Sequence, residues 1–107
     1  MGYWVYIVCC SDKTLYTGST PQLARRIEEH NAGKGAKYTR GRGPVFLAQA
    51  WVVENRSQAL KIEALIKAQR RAIKEKLVAE PNLLLTLAKE KDMIFRWQSG
   101  INKFPRQ

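Results

Sequence analysis

Two tyrosines ten residues apart, Tyr6 and Tyr16, are followed after ten more by Arg26. His30 comes one helical turn later, and Glu63 stands far along the chain beside Ala59, Leu60, Ile62 and Ile66. Phenol, guanidinium, imidazole and carboxylate are the groups that phosphodiester hydrolysis calls for. The phosphate is anionic and repels an attacking hydroxide. Cleavage therefore needs a base for water, cations for the developing charge and support for the leaving oxygen. Tyr16 is the candidate general base. A phenol with an ordinary pKa of about 10 takes a proton poorly at neutral pH, so a cation or metal-bound water must lower that value. Tyr6 would hold the water or a phosphate oxygen, and the two phenols can exchange these roles.

Arg26 is the candidate phosphate clamp, permanently charged and able to donate two parallel hydrogen bonds. His30, four residues on, shares its helical face and could donate to the phosphate or move a proton near neutral pH. It could equally cap its helix or bond a neighbouring side chain. Arg25 points elsewhere and reads as a solvated or nucleic-acid-facing charge. Glu63 can form an ion pair with Lys67 four residues on, the ordinary surface arrangement. It can also face a cleft as a metal ligand. One carboxylate suits Mg²⁺, which keeps several waters and borrows substrate oxygens.

These groups meet only if the elements bring them together. Tyr3 to Cys9 is aromatic and β-branched, which predicts a strand, and its unbroken apolar character predicts a central one buried on both faces. Asp12-Lys13 turns the chain into a second strand from Thr14 to Gly18. Thr20-Pro21 starts a helix with Leu23, Ile27 and Ala24 on its buried side through Asn31, and Gly33 stops it. Val45 to Val53 reads as a third strand with Phe46 and Trp51 as packing residues. Ser57 is the cap candidate for a helix to Gln69, with Ala59, Leu60, Ile62, Leu65 and Ile66 on or beside its apolar stripe. Ile73, Leu77 and Val78 mark a second helical piece that Pro81 ends, and residues 82–91 read as a short helix. The order strand–strand–helix–strand–helix is an α+β pattern, and the hairpin makes its small sheet at least partly antiparallel.

A chain of 107 residues is one domain. Its 19 Lys and Arg against nine Asp and Glu leave a net charge of +10, a footprint that attracts polyanions and points to nucleic acid. Residues 33–44 hold four glycines, the cations Lys34, Lys37, Arg40 and Arg42, and no anion. Glycine permits close approach to a backbone, the cations neutralise phosphates and Tyr38 could stack a base. A plain solvated loop has the same composition. No Gly-Lys-Ser or Gly-Lys-Thr closes the segment, which excludes a nucleotide-binding P-loop. Lys67, Arg70, Arg71, Lys74 and Lys76 extend the basic surface. Adjacent Cys9 and Cys10 would point to opposite strand faces and suit neither a disulfide nor zinc. Reduced thiols, an apolar run far short of the roughly 20 residues a membrane needs, and no basic leader predict a soluble cytoplasmic protein without a membrane partner.

Taken in order, Trp4-Val5-Tyr6, Tyr16-Thr17-Gly18, Arg26, His30 and Glu63 resemble the GIY-YIG nuclease superfamily. The runs Leu15 to Thr20 and Arg25 to Arg40 are similar more closely to its small stand-alone bacterial members, the YhbQ-like family. The resemblance covers roughly residues 3–78. It implies a three-stranded antiparallel sheet flanked by helices, in the order β-β-α-β-α followed by a C-terminal helix and tail, with the tyrosines on neighbouring strands. Residues 1–80 would form the GIY-YIG domain, and 81–107 a helix and tail packed on it or extending from it. It also implies DNA hydrolysis with one divalent ion, Mg²⁺ or Mn²⁺, held at Glu63, with Tyr6, Tyr16, Arg26, His30 and Glu63 catalytic. Arg25, Lys34, Lys37, Tyr38, Arg40 and Arg42 would contact nucleic acid. Ser19 stands where the repair-nuclease branch has a lysine, and Glu75 and its neighbours stand where the repair and homing branches place an asparagine. The expected function is a metal-dependent endonuclease acting on DNA rather than RNA, selective for structure rather than sequence in the absence of a separate specificity domain. The alternative is a module that binds DNA or structured RNA with a weak or silent site.

The charge excess makes a measurable prediction. Affinity for nucleic acid should fall linearly with salt on a log–log plot, by roughly 10³–10⁵ between about 50 and 200 mM if some 6–10 phosphates are contacted. Anisotropy titrations of labelled duplex and single strand over a salt series measure the slope, and a flat response removes the polyanion partner.

Overall fold

The structure, a computed structural model, describes residues 2–34, 41, 43–91 and 97–99, the last three as backbone. Lys37, Tyr38, Arg40 and Arg42 of the expected nucleic-acid contacts lie outside the described residues, as does most of the tail after residue 91. Strands β1 (Tyr3–Cys9) and β2 (Leu15–Thr20) form the expected hairpin. Its turn is closed by Cys10 N–H donating to the Thr14 carbonyl at 2.8 Å. Lys13 takes a left-handed conformation there, φ 72°, and the Asp12 carboxylate accepts from the Thr14 N–H. Helix α1 spans Leu23–Asn31, two residues later than the Thr20-Pro21 signal. Thr20 still acts, because its hydroxyl accepts from the Gln22 N–H ahead of the first turn.

Strand β3 (Phe46–Val53) leads to α2 (Arg56–Lys67), α3 (Arg71–Ala79), α4 (Leu83–Glu90) and a short β4 (Trp97–Ser99). The cap of α2 is Asn55, whose side chain accepts from the Gln58 N–H at 2.9 Å, and not Ser57. Asn and Ser cap equally well, so placement in the extended backbone just before the helix decides between them. The sheet order is β2-β1-β3-β4, antiparallel throughout, so the expected three strands are present and β4 extends the β3 side. β1 is central, as its unbroken apolar run requires. A bulge between Ile7 and Val8 puts Ala48 out of register with β1.

Alternation along the strands divides the side chains between two layers. Tyr6 and Val8 pack with Leu23, Val45 and Ala50 on the α1 side. Val5, Ile7, Trp51 and Val53 pack on the other side against Ala59, Ile62 and Ile66 of α2, Leu77 of α3 and Leu84 and Ala88 of α4. Trp51 donates its indole N–H to the Pro81 carbonyl, and buried Gln49 donates to that of Val78, which ties the end of α3 to the sheet. Phe46 and Leu60, expected to pack, are both 45% exposed. Phe46 is the first residue of its strand, and Leu60 is one step round α2 from the stripe that Ala59, Ile62 and Ile66 present. Ala24 is likewise exposed, because the buried stripe of α1 runs through Leu23, Ile27 and His30. Cys9 and Cys10 are free thiols. Among the described residues no helix is long and apolar enough to cross a membrane.

Asn31, the last residue of α1, brackets the backbone of buried Val45. Its amide donates to the Val45 carbonyl at 3.2 Å and accepts from the Val45 N–H at 2.7 Å. Asn31→Ala leaves both groups unpaired beside the core and should cost about 1–3 kcal/mol. Urea unfolding checks this as a lower midpoint at unchanged slope.

Candidate active site

β2 is an edge strand, so side chains from both helical layers can reach around it. In the hairpin register Tyr6 faces Gly18 and Val8 faces Tyr16, which puts both tyrosines on the α1 face, diagonal to one another. Their ring centroids are 6.4 Å apart with planes at 50°. The Tyr6 phenol lies across the β2 backbone. A Cβ at Gly18 would sit 2.5 Å from the Tyr6 oxygen and 2.7 Å from Cζ, so glycine is required here for close approach.

α1 supplies His30 from the third position of its buried stripe. His30 is 2% exposed and Tyr6 1%, and the Tyr6 oxygen is 2.9 Å from His30 Nε2. Burial, helped by the Arg26 cation and opposed by Glu29, pushes the His30 pKa below the ordinary imidazole value. The ring is then neutral near pH 7 and has one acceptor nitrogen, so the Tyr6 O–H can donate to Nε2 in the tautomer that carries its proton on Nδ1. Burial pushes the Tyr6 phenol up to about 12, against a hydrogen bond from Arg26, with Tyr16 and Glu63 adding to the rise and the Arg26 charge to the opposition. Tyr6 is therefore a protonated donor. Arg26 hydrogen-bonds this phenol, and Tyr16 and Glu63 lie near enough to raise its pKa.

Arg26 is half-buried, with Nη1 3.1 Å from Glu29 Oε1. Burial works against its charge, but hydrogen bonding to Tyr6 and Glu29 outweighs that and raises its pKa. Arg25 points outward, 72% exposed, and shares Glu29 at 3.6 Å. Lys34 is exposed just beyond the end of α1. From the opposite layer α2 contributes Glu63. Ser19, opposite Val5 in the register, faces α2 and donates to Glu63 Oε1 at 2.6 Å. Lys67 Nζ lies 2.7 Å from Glu63 Oε2 and 5.8 Å from the Tyr16 ring centroid, so it bends round the edge strand from carboxylate to phenol. The ion pair open to Glu63 on sequence grounds is thus formed in this state. Glu75, where the asparagine is absent, instead pairs with Arg71 along α3.

The structure gathers Tyr6, Tyr16, Arg26, His30 and Glu63 at one edge. It adds Gly18 as the space for a phenol, Ser19 as a donor to Glu63, and Lys67 as a link to Tyr16. Ser19 was visible only as a departure from a pattern, and the approach of Lys67 to Tyr16 had no sequence signal. Among the described residues no three His, Cys, Asp or Glu cluster as a metal cage. One carboxylate plus substrate phosphate suits a hard, hydrated divalent ion, and Glu63 already holds a cation, the Lys67 ammonium.

Residues 2–77 match the family model described as the GIY-YIG catalytic domain. The chain is similar to the UPF0213 protein of Natronomonas pharaonis, 50% identical over 73% of this chain and 92% of that one. It is also similar to the UPF0213 protein of Haloquadratum walsbyi, 53% identical over 73% and 88%. The solution NMR structure of a UPF0213 protein from Bacillus halodurans is 46% identical and covers 74% of this chain and 84% of that chain at a TM-score of 0.49.

Because the folded state favours the protonated phenol, the stability that Tyr6 contributes is complete below its ordinary pKa of about 10. It is lost as the pH rises through about 12. Gly18→Ala should expel the phenol, bring its titration back toward the ordinary value and abolish that alkaline loss. Absorbance of the phenolate at alkaline pH, with Tyr6→Phe to assign the signal, measures the change.

Proposed function

The chain belongs to the GIY-YIG catalytic domain family, and we propose from that premise that it is a divalent-metal-dependent endonuclease that hydrolyses DNA phosphodiester bonds. The observation that carries the reading is the convergence around Tyr6: its oxygen lies 2.9 Å from His30 Nε2, its ring 6.4 Å from that of Tyr16, and Lys67 joins the Tyr16 ring to Glu63. Packing alone does not require a guanidinium, two phenols, an imidazole and a carboxylate at one sheet edge.

Roles follow from exposure. Tyr6 and His30 are sealed from solvent and work by position: together they hold a neutral imidazole and keep the Arg26 guanidinium at the edge. Arg26 retains exposure and binds the phosphate by its fork. Tyr16, half-buried on the edge strand, is the phenol that water can reach. It is the candidate to accept a proton from the attacking water. The hydroxide bonds to phosphorus, the bond from phosphorus to the 3′ oxygen breaks, and the departing oxygen takes a proton from solvent. Glu63, oriented by Ser19, would hold the divalent ion. When bound, that ion polarises the phosphate and stabilises the departing oxygen. Arg25 and Lys34, and outside the described residues Lys37, Tyr38, Arg40 and Arg42, would lead the strand to this edge. With one site per chain, a monomer makes nicks. Selectivity for DNA structure rather than sequence, and a cytoplasmic setting in keeping with two free thiols, complete the reading.

One observation favours a second reading, nucleic-acid binding without cleavage: both Glu63 oxygens are engaged by the chain's own hydroxyl and ammonium. Incubation with single-stranded, duplex and branched DNA in Mg²⁺ or Mn²⁺, beside Tyr16→Phe, Arg26→Ala and Glu63→Ala, separates the two. Cleavage by the parent, abolished by chelation and reduced roughly 10²–10⁴-fold in Tyr16→Phe, is expected. Tight, salt-sensitive binding with no metal-dependent product would instead establish the binding module.

A further inference from the structure

Lys67 is the last residue of α2, and its side chain runs back along the helix to Glu63, one turn earlier. The two partners are held very differently. The Glu63 side chain is 17% exposed and pinned at Oε1 by the Ser19 hydroxyl, whereas that of Lys67 is 50% exposed. The carboxylate is the fixed partner and the ammonium the movable one. A lysine head is a compact charge on a flexible four-carbon stem, able to leave without disturbing the backbone.

We infer that Lys67 is the resident counter-ion of Glu63, occupying the place of the divalent ion, so that ammonium and metal alternate on Oε2. The inference rests on the nuclease reading for the identity of the incoming ion. A divalent ion would bind a carboxylate oxygen at about 2.0–2.1 Å, on the oxygen that the ammonium approaches to 2.7 Å. Holding both is disfavoured, because two cations on one oxygen repel while sharing a single negative charge. Oε1 is already engaged by the Ser19 hydroxyl, which leaves Oε2 as the oxygen that departure of the ammonium frees. The released ammonium has somewhere to go. The Tyr16 ring face already lies 5.8 Å away, and a phosphate drawn to Arg26 and Tyr16 would meet the ammonium there. Lys67 thus neutralises a partly buried carboxylate in the resting protein and delivers a cation to the substrate side once metal arrives.

The test is Mn²⁺ binding to the full chain without nucleic acid, followed by electron paramagnetic resonance of the free ion. Lys67→Met keeps the stem and removes the competitor, so it should bind Mn²⁺ roughly two- to tenfold more tightly than the parent. Lys67→Arg, which keeps a cation, should not show the gain, and Glu63→Gln in the Lys67→Met background should abolish it. Thermal unfolding confirms that each variant folds, and Lys67→Gln serves as a second competitor-free variant. Equal or weaker Mn²⁺ binding by both Lys67→Met and Lys67→Gln, or tightening that survives Glu63→Gln, overturns the inference. The assay reads no cleavage, so the two readings fail separately. A chain that cuts DNA yet shows no tightening loses this inference alone, and one that tightens yet cuts nothing loses the nuclease reading alone.

Discussion

The Tyr6 phenol crosses the backbone of β2 at Gly18 to reach His30 on α1, and the other polar groups of the site take their places around that crossing. It requires a residue without a side chain at position 18, since a Cβ would stand 2.5 Å from the phenol oxygen. It also requires an acceptor at the far end, because a phenol buried to 1% exposure cannot leave its proton unpaired without a cost of about 1–3 kcal/mol. His30 meets that need at 2.9 Å. Arg26, one turn earlier on the same helix, is brought to the same oxygen as a consequence. Docking α1 on the sheet and assembling the cationic half of the site are one packing event.

The acidic half comes from the opposite layer and depends on β2 lying at the edge. A central strand would keep the two faces of the sheet apart. At an edge, Ser19 can hold Glu63 on one face while Lys67 bends round to Tyr16 on the other. The few carboxylates of this strongly cationic chain are placed with economy. Glu29, Glu63 and Glu75 each lie three or four helical residues from an arginine or lysine and fix where it points. Pairs of this kind contribute little to stability when exposed. Their effect here is orientation: Arg26 is steadied beside the phenols, and Lys67 is parked on a carboxylate.

Much of the fold was legible because local patterns and tertiary packing agree. The unbroken apolar run of β1 marked a strand covered on both faces, and the turn residues at 12–13 marked the hairpin. Disagreements arose where a pattern left more than one outcome. Leu60 belongs to an apolar cluster in sequence but lies one step outside the stripe that the sheet covers. Ser57 and Asn55 are equally able to cap, and the backbone path out of β3 chose between them. Phe46 has strand chemistry at a strand's first position and is left 45% exposed.

The sequence by itself determined the residue types and every relation within one helix: Arg26 with His30, and Glu63 with Lys67, share faces because helical geometry fixes neighbours three and four apart. It also set the charge that favours a polyanion. Only the tertiary structure decided that Tyr6 is sealed while Tyr16 is half-buried, that Ser19 meets a carboxylate 44 residues away, and that Lys67 stands beside a phenol. Those relations follow from which strand lies at the sheet's edge and which layer covers each face. Covalent spacing carries no record of either, since both are settled by how the helices bury their apolar stripes against the sheet.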